Sequence, residues 1–149
     1  MQTAHPTIRI ANAKDALRIR QIIQHSAVCE TFFVGQQTAA SLRQVSQIVE
    51  SMRRCSWMLW DGGLVLVVPI NPVVAEIHVA VLPEWRGQVA IDACQVIAHM
   101  IFTRTGFTLL VGRTPIENRA ACMFAQMVGM KHVRETPTAA TKLRMASGV

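Results

Sequence analysis

Tyrosine is absent from this 149-residue chain, and three Trp and five Phe leave aromatics at 5% of it. A platform that stacks nucleic-acid bases needs such rings, so nucleic acid is not the expected partner. Charge is sparse as well, with Asp, Glu, Lys and Arg together making up 16%. That does not signal disorder, because 51% of the residues are hydrophobic, enough to bury a core. No apolar run approaches the roughly 20 residues of a membrane span, and no membrane role is expected. The opening MQTAHPTIRI lacks the basic-then-apolar order of a signal peptide, which points to a cytoplasmic protein. Cys29, Cys55, Cys94 and Cys122 show no C-x-x-C spacing and sit among apolar neighbours. Small buried thiols look like this, whereas disulfides and zinc sites do not, so no metal is expected.

The chain does have the length for one domain, residues 1–149, with a core of its own. It also carries 15 Lys and Arg against 9 Asp and Glu, a net charge of +6. Such a charge suits an anionic partner, whether a nucleotide cofactor, a nucleic acid or an acidic protein surface. The basic residues are dispersed, the longest run being Arg53-Arg54, so charge alone does not choose among these.

Periodicity sets out the elements. Thr7–Ala11 alternates like a half-buried strand, and Asn12 can cap a helix whose stripe is Ala16, Ile19, Ile23 and Ala27. A second helix is expected at about 38–53 on Leu42, Val45, Ile48, Val49 and Met52. Ser56–Trp60 and Leu64–Val68 read as strands joined by a turn at Asp61-Gly62-Gly63. Val73–Leu82 is a long strand with Glu76, His78 and Ala80 on one face and Ile77, Val79 and Val81 on the other. A helix over 87–104 exposes Gln88, Asp92, Gln95, His99 and Thr103, with Gly106 expected as its left-handed cap. Phe107–Gly112 reads as a central strand buried on both faces. Thr114-Pro115-Ile116-Glu117 has the pattern of a capping box for a helix ended by Gly129. Strands near 130–135 and 140–146 close the chain. The order is β-α-α-β-β-β-α-β-α-β-β, a mixed α/β (α+β) sheet flanked by helices.

The crossover from strand 73–82 through helix 87–104 to strand 107–112 is where chemistry is expected. A helix starting directly after a strand presents unpaired N–H groups and a partial positive charge, a ready site for phosphate. Val81-Leu82-Pro83-Glu84-Trp85-Arg86-Gly87 resembles the strand-Pro-x-x-Arg-Gly lead-in to the acyl-CoA loop of the GNAT superfamily of N-acyltransferases. Asn118-Arg119-Ala120-Ala121-Cys122-Met123-Phe124, followed by Gly129-Met130, resembles that family's Asn-x-x-Ala-x-x-Phe helix and the strand after it. The element order is similar along nearly the whole chain.

The resemblance implies an acetyl-CoA-dependent N-acyltransferase with a CoA thioester and an amine acceptor as partners. Backbone within Ile77–Leu82, Val79 and Val81 included, would pair with the pantetheine arm. The N–H groups from Arg86 through Gly87, Gln88 and Val89 to Ala90 would hold the pyrophosphate, and Asn118 would support the acetyl end. Glu76 or His78 would act as base. Two departures stand out. Val89 and Ile91 occupy the family's small loop positions, where β-branched side chains crowd the phosphate surface. Ala125 stands where many relatives place the tyrosine that protonates the leaving thiolate. The chain is also similar to short GNAT-like proteins of tailed phages, some virion-associated, which implies an alternative. It would then be a binding or structural component of a protein assembly, in the host cytoplasm or the virion, without catalysis. The acceptor groove, expected between the first two helices and the closing strands, shows no distinctive constellation, and the oligomeric state, a homo-oligomer included, is left open.

Overall fold

The computed structural model describes residues 7–28, 42–135 and 140–147. Its strands are β1 (Arg9–Ile10), β2 (Ser56–Trp60), β3 (Gly63–Pro69), β4 (Val74–Val81), β5 (Leu109–Pro115), β6 (Lys131–Glu135) and β7 (Ala140–Ala146). Its helices are α1 (Ala16–Ile23), α2 (Val45–Ser51), α3 (Gln88–Arg104) and α4 (Arg119–Val128). The strands form one seven-stranded sheet in the order β1-β2-β3-β4-β5-β7-β6. Tight connections make β2–β3 and β3–β4 antiparallel, while the long crossover through α3 makes β4–β5 the sheet's parallel pair. This is the element order read from the sequence.

Strand alternation gives the sheet two buried faces. Ile19, Ile22 and Ile23 of α1 and Ile48 of α2 pack on Trp57, Leu59, Leu64, Leu66 and Ala80. On the other face Ala90, Ala93, Cys94, Ile97, Ala98 and Ile101 of α3 cover Met58, Trp60, Val65, Val67, Ala75 and Leu110. Each fully buried large aliphatic side chain contributes about 1.5–3 kcal/mol, so both helix layers are held chiefly by these stripes. In α3 the expected polar positions are indeed exposed, with Val89 and Val96 added to them.

Several local expectations give way to tertiary context. The first helix breaks at Gln24–His25, which exposes Ala27 and turns Val28 into the core instead. The second is shorter than expected, and residues 38–41 of it lie outside the described residues. Gly106 is not the left-handed cap: Thr105 ends α3, its N–H and hydroxyl both donating to Ile101 O at 3.1 and 2.6 Å. Thr114 and Pro115 do not open a capping box but extend β5, because β7 pairs with that strand as far as Pro115↔Ala140. The strand is buried at Leu110 and Gly112 and only half-buried at Leu109 and Val111, so it has one deep face.

Asn12 does cap, but it caps a turn of 3-10 helix at Ala13–Asp15 that leads into α1 rather than α1 itself. Lys14 N–H donates to Asn12 Oδ1 and Asn12 N–H donates to Asp15 Oδ2, both at 2.9 Å, and both Asp15 oxygens accept from Arg9. The Arg9 bonds, then the Asn12 N–H, hold the Asp15 carboxyl down at about 2. A depressed carboxyl adds stability that is complete above its ordinary value and lost as pH falls through the folded one. Asp15→Asn should therefore melt below wild type at neutral pH. That difference should close between pH 3.8 and about 2, as read by thermal melts across that range.

Candidate functional site

The site begins where two strands part. β4 and β5 pair only from Val74↔Leu109 to Glu76↔Val111, although β4 runs on to Val81 and β5 to Pro115. A cavity of about 380 Å³ opens in the wedge, lined by His78 and Ala80 from one face of β4 and by Ile77, Val79 and Val81 from the other. Residues of opposite faces share a cavity only where the sheet has opened between them. Ile77 O faces Gly112 of β5, and Val81 O accepts from Arg86 Nε at 3.2 Å, so both point toward the wedge. Strand alternation gives Val79 N–H and C=O the same direction, beyond the last β4–β5 pair. The floor is apolar, with Cys94, Ile97, Leu110 and Phe124. Burial pushes the Cys94 thiol up to about 12, so it stays protonated and is no nucleophile.

At the wedge's mouth the chain turns into α3. One turn of 3-10 helix at Pro83–Trp85 leads to Gly87, which caps α3 at φ +112° and ψ −147°. A Cβ on Gly87 would meet nothing within 4 Å, so the backbone conformation, not space, requires glycine there. The first helical bond is Ile91 N–H to Gly87 O at 3.1 Å, which leaves the N–H groups of Gln88, Val89 and Ala90 ahead of the ladder. Ile91 turns under the loop into the core, 6% exposed, while Val89 is 45% exposed at the mouth. The side chain of Arg86 is engaged with the protein itself. Besides Val81 O it donates through Nη2 to Ala27 O at 3.0 Å, bracing the loop against the chain that follows α1.

Glu76 and His78 stand on one face of β4 where the wedge begins, with His78 Nε2 3.3 Å from Glu76 Oε1. The hydrogen bond from His78 holds the Glu76 carboxyl below its usual range, against partial burial, and the charges of His78 and Arg113 add to this. The pair is thus a carboxylate seated on an imidazole, an arrangement that can accept a proton from a bound amine. Asn118 lines the same cavity, and its Oδ1 accepts from Ala121 N–H at 3.1 Å as the cap of α4. Ala125 lies on the cavity wall with no acidic side chain in its place. The structure therefore gathers His78, Val79, Val81, Arg86, Gly87 and Asn118 about one wedge, with Glu76 joined to it through His78 rather than on its lining and Gln88, Val89 and Ala90 following Gly87 at its mouth. It adds Val28, Arg113 and Thr114 to the lining. Val28 comes from the chain after α1 and Arg113 and Thr114 from β5, and only tertiary packing, which no local pattern announces, brings them together.

Among the described residues, no helix is long and apolar enough to cross a membrane. Neither protein-family models nor curated protein sequences match the chain. Solved structures do. Spermidine N-acetyltransferase from Vibrio cholerae, crystallised with CoA and spermine, superposes with a TM-score of 0.77 at 14% identity over 95% of each chain. Aminoglycoside acetyltransferase AAC(6')-Ib with coenzyme A and kanamycin gives 0.72 at 12% over 95% of each. A domain from Methanocaldococcus jannaschii DSM 2661 gives 0.72 at 11%, covering 95% of this chain and 97% of its own. At these identities the likeness is one of fold, and with its mixed seven-stranded sheet and helices on both faces the chain has the GNAT fold.

Proposed function

We propose that the chain is an acetyl-CoA-dependent N-acyltransferase that transfers an acetyl group directly to an amine. The observation that carries this reading is the wedge between β4 and β5, with the start of α3 at its mouth and the Glu76–His78 pair at its closed end. Its narrow apolar walls and the outward-facing backbone of Val79 suit an amide-bearing arm. The N–H groups of Gln88, Val89 and Ala90 and the positive end of α3 suit a pyrophosphate. Acetyl-CoA, when bound, supplies the thioester. The Glu76–His78 pair takes the proton that the amine sheds as its nitrogen bonds to the acyl carbon and the carbon–sulfur bond breaks. With no tyrosine in the chain, no tyrosine hydroxyl stands ready to protonate the departing sulfur, and solvent would supply that proton. The solved neighbours support this reading through what those proteins bind, CoA with spermine and coenzyme A with kanamycin.

Ligand binding to the folded state raises the melting temperature with occupancy. Calorimetry and thermal melts with acetyl-CoA should therefore show binding and stabilisation; neither at millimolar acetyl-CoA overturns the reading. Val89 is the residue that crowds the phosphate surface, so Val89→Gly should tighten acetyl-CoA by about threefold to tenfold, up to roughly 1.4 kcal/mol. An unchanged or weaker affinity would place the pyrophosphate elsewhere.

A second reading, a GNAT-fold binding component of an assembly without catalysis, is favoured by Arg86 being spent on backbone carbonyls and by Val89 at the mouth. Acetyl-CoA binding with no transfer to any amine, together with co-purification in a large assembly, is the outcome that selects it.

A further inference from the structure

The half of the sheet that α1 and α2 do not cover carries a basic face that the sequence does not reveal. Residues paired across neighbouring strands share a face. The register therefore places Glu76, Val111, Arg144 and Lys131 in one row across β4, β5, β7 and β6, and Arg113 and Lys142 in the next row, level with His78 across the wedge. The core beneath α1 and α2 contains no residue of β5, β6 or β7. Arg113, Arg144 and Lys131 are exposed and Lys142 is half-buried. Among the described residues, none of the ion pairs involves these four. The nearby carboxylate, Glu76, is already held by His78. Arg113 sits directly opposite Lys142, and Arg144 directly opposite Lys131. Directly opposed like charges destabilise a sheet, and among the described residues only the field of Glu76 on Arg113 offsets part of that cost.

We propose that this row receives the acid group of the acceptor, making the acceptor a small amine that also bears a carboxylate or phosphate. The inference rests on the reading of Glu76 and His78 as the base. An amine offered to that pair has its remaining bulk over β5 and β7, among Arg113, Lys142, Arg144 and Lys131. Among the described residues, a polycation there meets four like charges and one carboxylate, Glu76, that is already bound by His78, whereas one acid group relieves both opposed pairs at once. The acceptor therefore differs in charge from spermine and kanamycin.

Matched probes test this. O-phosphoethanolamine and ethanolamine differ by one phosphate, and L-glutamate and spermidine extend the comparison. In calorimetric titrations of the whole chain, O-phosphoethanolamine and glutamate should bind at least about tenfold more tightly than ethanolamine or spermidine. In acetyl transfer followed by thiol release, kcat/KM should rank the same way. The Lys142→Ala/Arg144→Ala variant should lose about tenfold or more in affinity for the acid-bearing probes, with its acetyl-CoA affinity and far-UV spectrum unchanged. Lys142→Glu/Arg144→Glu should turn the preference toward spermidine. Equal or tighter binding of ethanolamine or spermidine by wild type overturns the proposal, as does undiminished O-phosphoethanolamine binding by the alanine variant. Binding of a single-stranded oligonucleotide in place of the small acids also overturns it, assigning the row to nucleic acid. If O-phosphoethanolamine binds through Lys142 and Arg144 but acetyl-CoA does not bind, the transferase reading fails and the anion site stands. If acetyl-CoA binds and spermidine is the better acceptor, the reverse holds.

Discussion

Glu76→Gln should lower kcat/KM for acetyl transfer by about 10²–10⁴-fold, the range a positioned general base contributes, while leaving acetyl-CoA affinity within about twofold. Gln keeps the size of the side chain but cannot hold a negative charge against His78. The wild-type carboxyl is kept below its ordinary 4.5 by the imidazole and by the field of Arg113. It is therefore ionised throughout the pH range in which an amine reacts. Its charge favours a proton arriving on the pair, which is what the transfer requires. Activity should fall as pH is lowered into the depressed range of the Glu76 carboxyl, and the Gln variant should lose that limb. A loss confined to KM would mean that Glu76 only binds the acceptor. An unchanged kcat/KM would remove the pair from the reaction. His78→Ala should be of similar severity, and the double variant should cost little more than either single one, because residues acting as a unit are not additive.

The carboxylate and imidazole were legible from the sequence because strand alternation is local. Val73–Leu82 alternates without ambiguity, and two residues apart means one face. The glycine-led start of α3 was legible for a similar reason, since Pro83, Gly87 and the apolar spacing after them are all short-range signals. The errors fall where a local rule competed with a long-range partner. Thr114-Pro115 has the chemistry of a helix start, but hydrogen bonding to β7 keeps it extended, and Asn118 becomes the cap instead. Gly106 has the right residue for a left-handed cap, but Thr105 satisfies Ile101 O through its own N–H and hydroxyl, so no left-handed residue is needed. Arg86 was read for its backbone N–H, whereas its side chain is bound to Val81 O and Ala27 O, and the second bond depends on the packing of the chain after α1. The basic row was invisible for a stronger reason. Arg113, Lys131, Lys142 and Arg144 are separated by up to 31 positions, and only the insertion of β7 between β5 and β6 aligns them.

Gly62 and Gly63 read as an ordinary hairpin turn, yet substituting either should have a large effect, and the two effects should differ. A Cβ on Gly63 would overlap the backbone carbonyl of Ala80, which cannot move without shifting β4 at its last pair, Gly63↔Val81. Overpacking of that kind costs typically 1–3 kcal/mol and occasionally more, so Gly63→Ala should lower the melting temperature by about 2–12 °C for a chain of this length. A Cβ on Gly62 would overlap the side chains of Trp85 and Trp60. Those two rings stand edge to face at 6.0 Å and 88°, and Gly62 O accepts from Leu82 N–H at 2.9 Å. Gly62→Ala therefore pushes on the turn that carries Arg86 and Gly87 to the mouth of the wedge. Its signature should be a changed tryptophan emission and an acetyl-CoA affinity reduced by about tenfold, larger than its loss of stability would suggest. Gly106→Ala is the control, since a Cβ there stands at an ordinary 3.6 Å from Pro72 O and should change stability by no more than about 0.5 kcal/mol. If Gly62→Ala binds acetyl-CoA as wild type does, the β2–β3 hairpin does not position the phosphate loop. If it loses affinity while Gly63→Ala, with the greater loss of stability, retains it, then the packing of Trp85 on Trp60 couples the hairpin to the cofactor site.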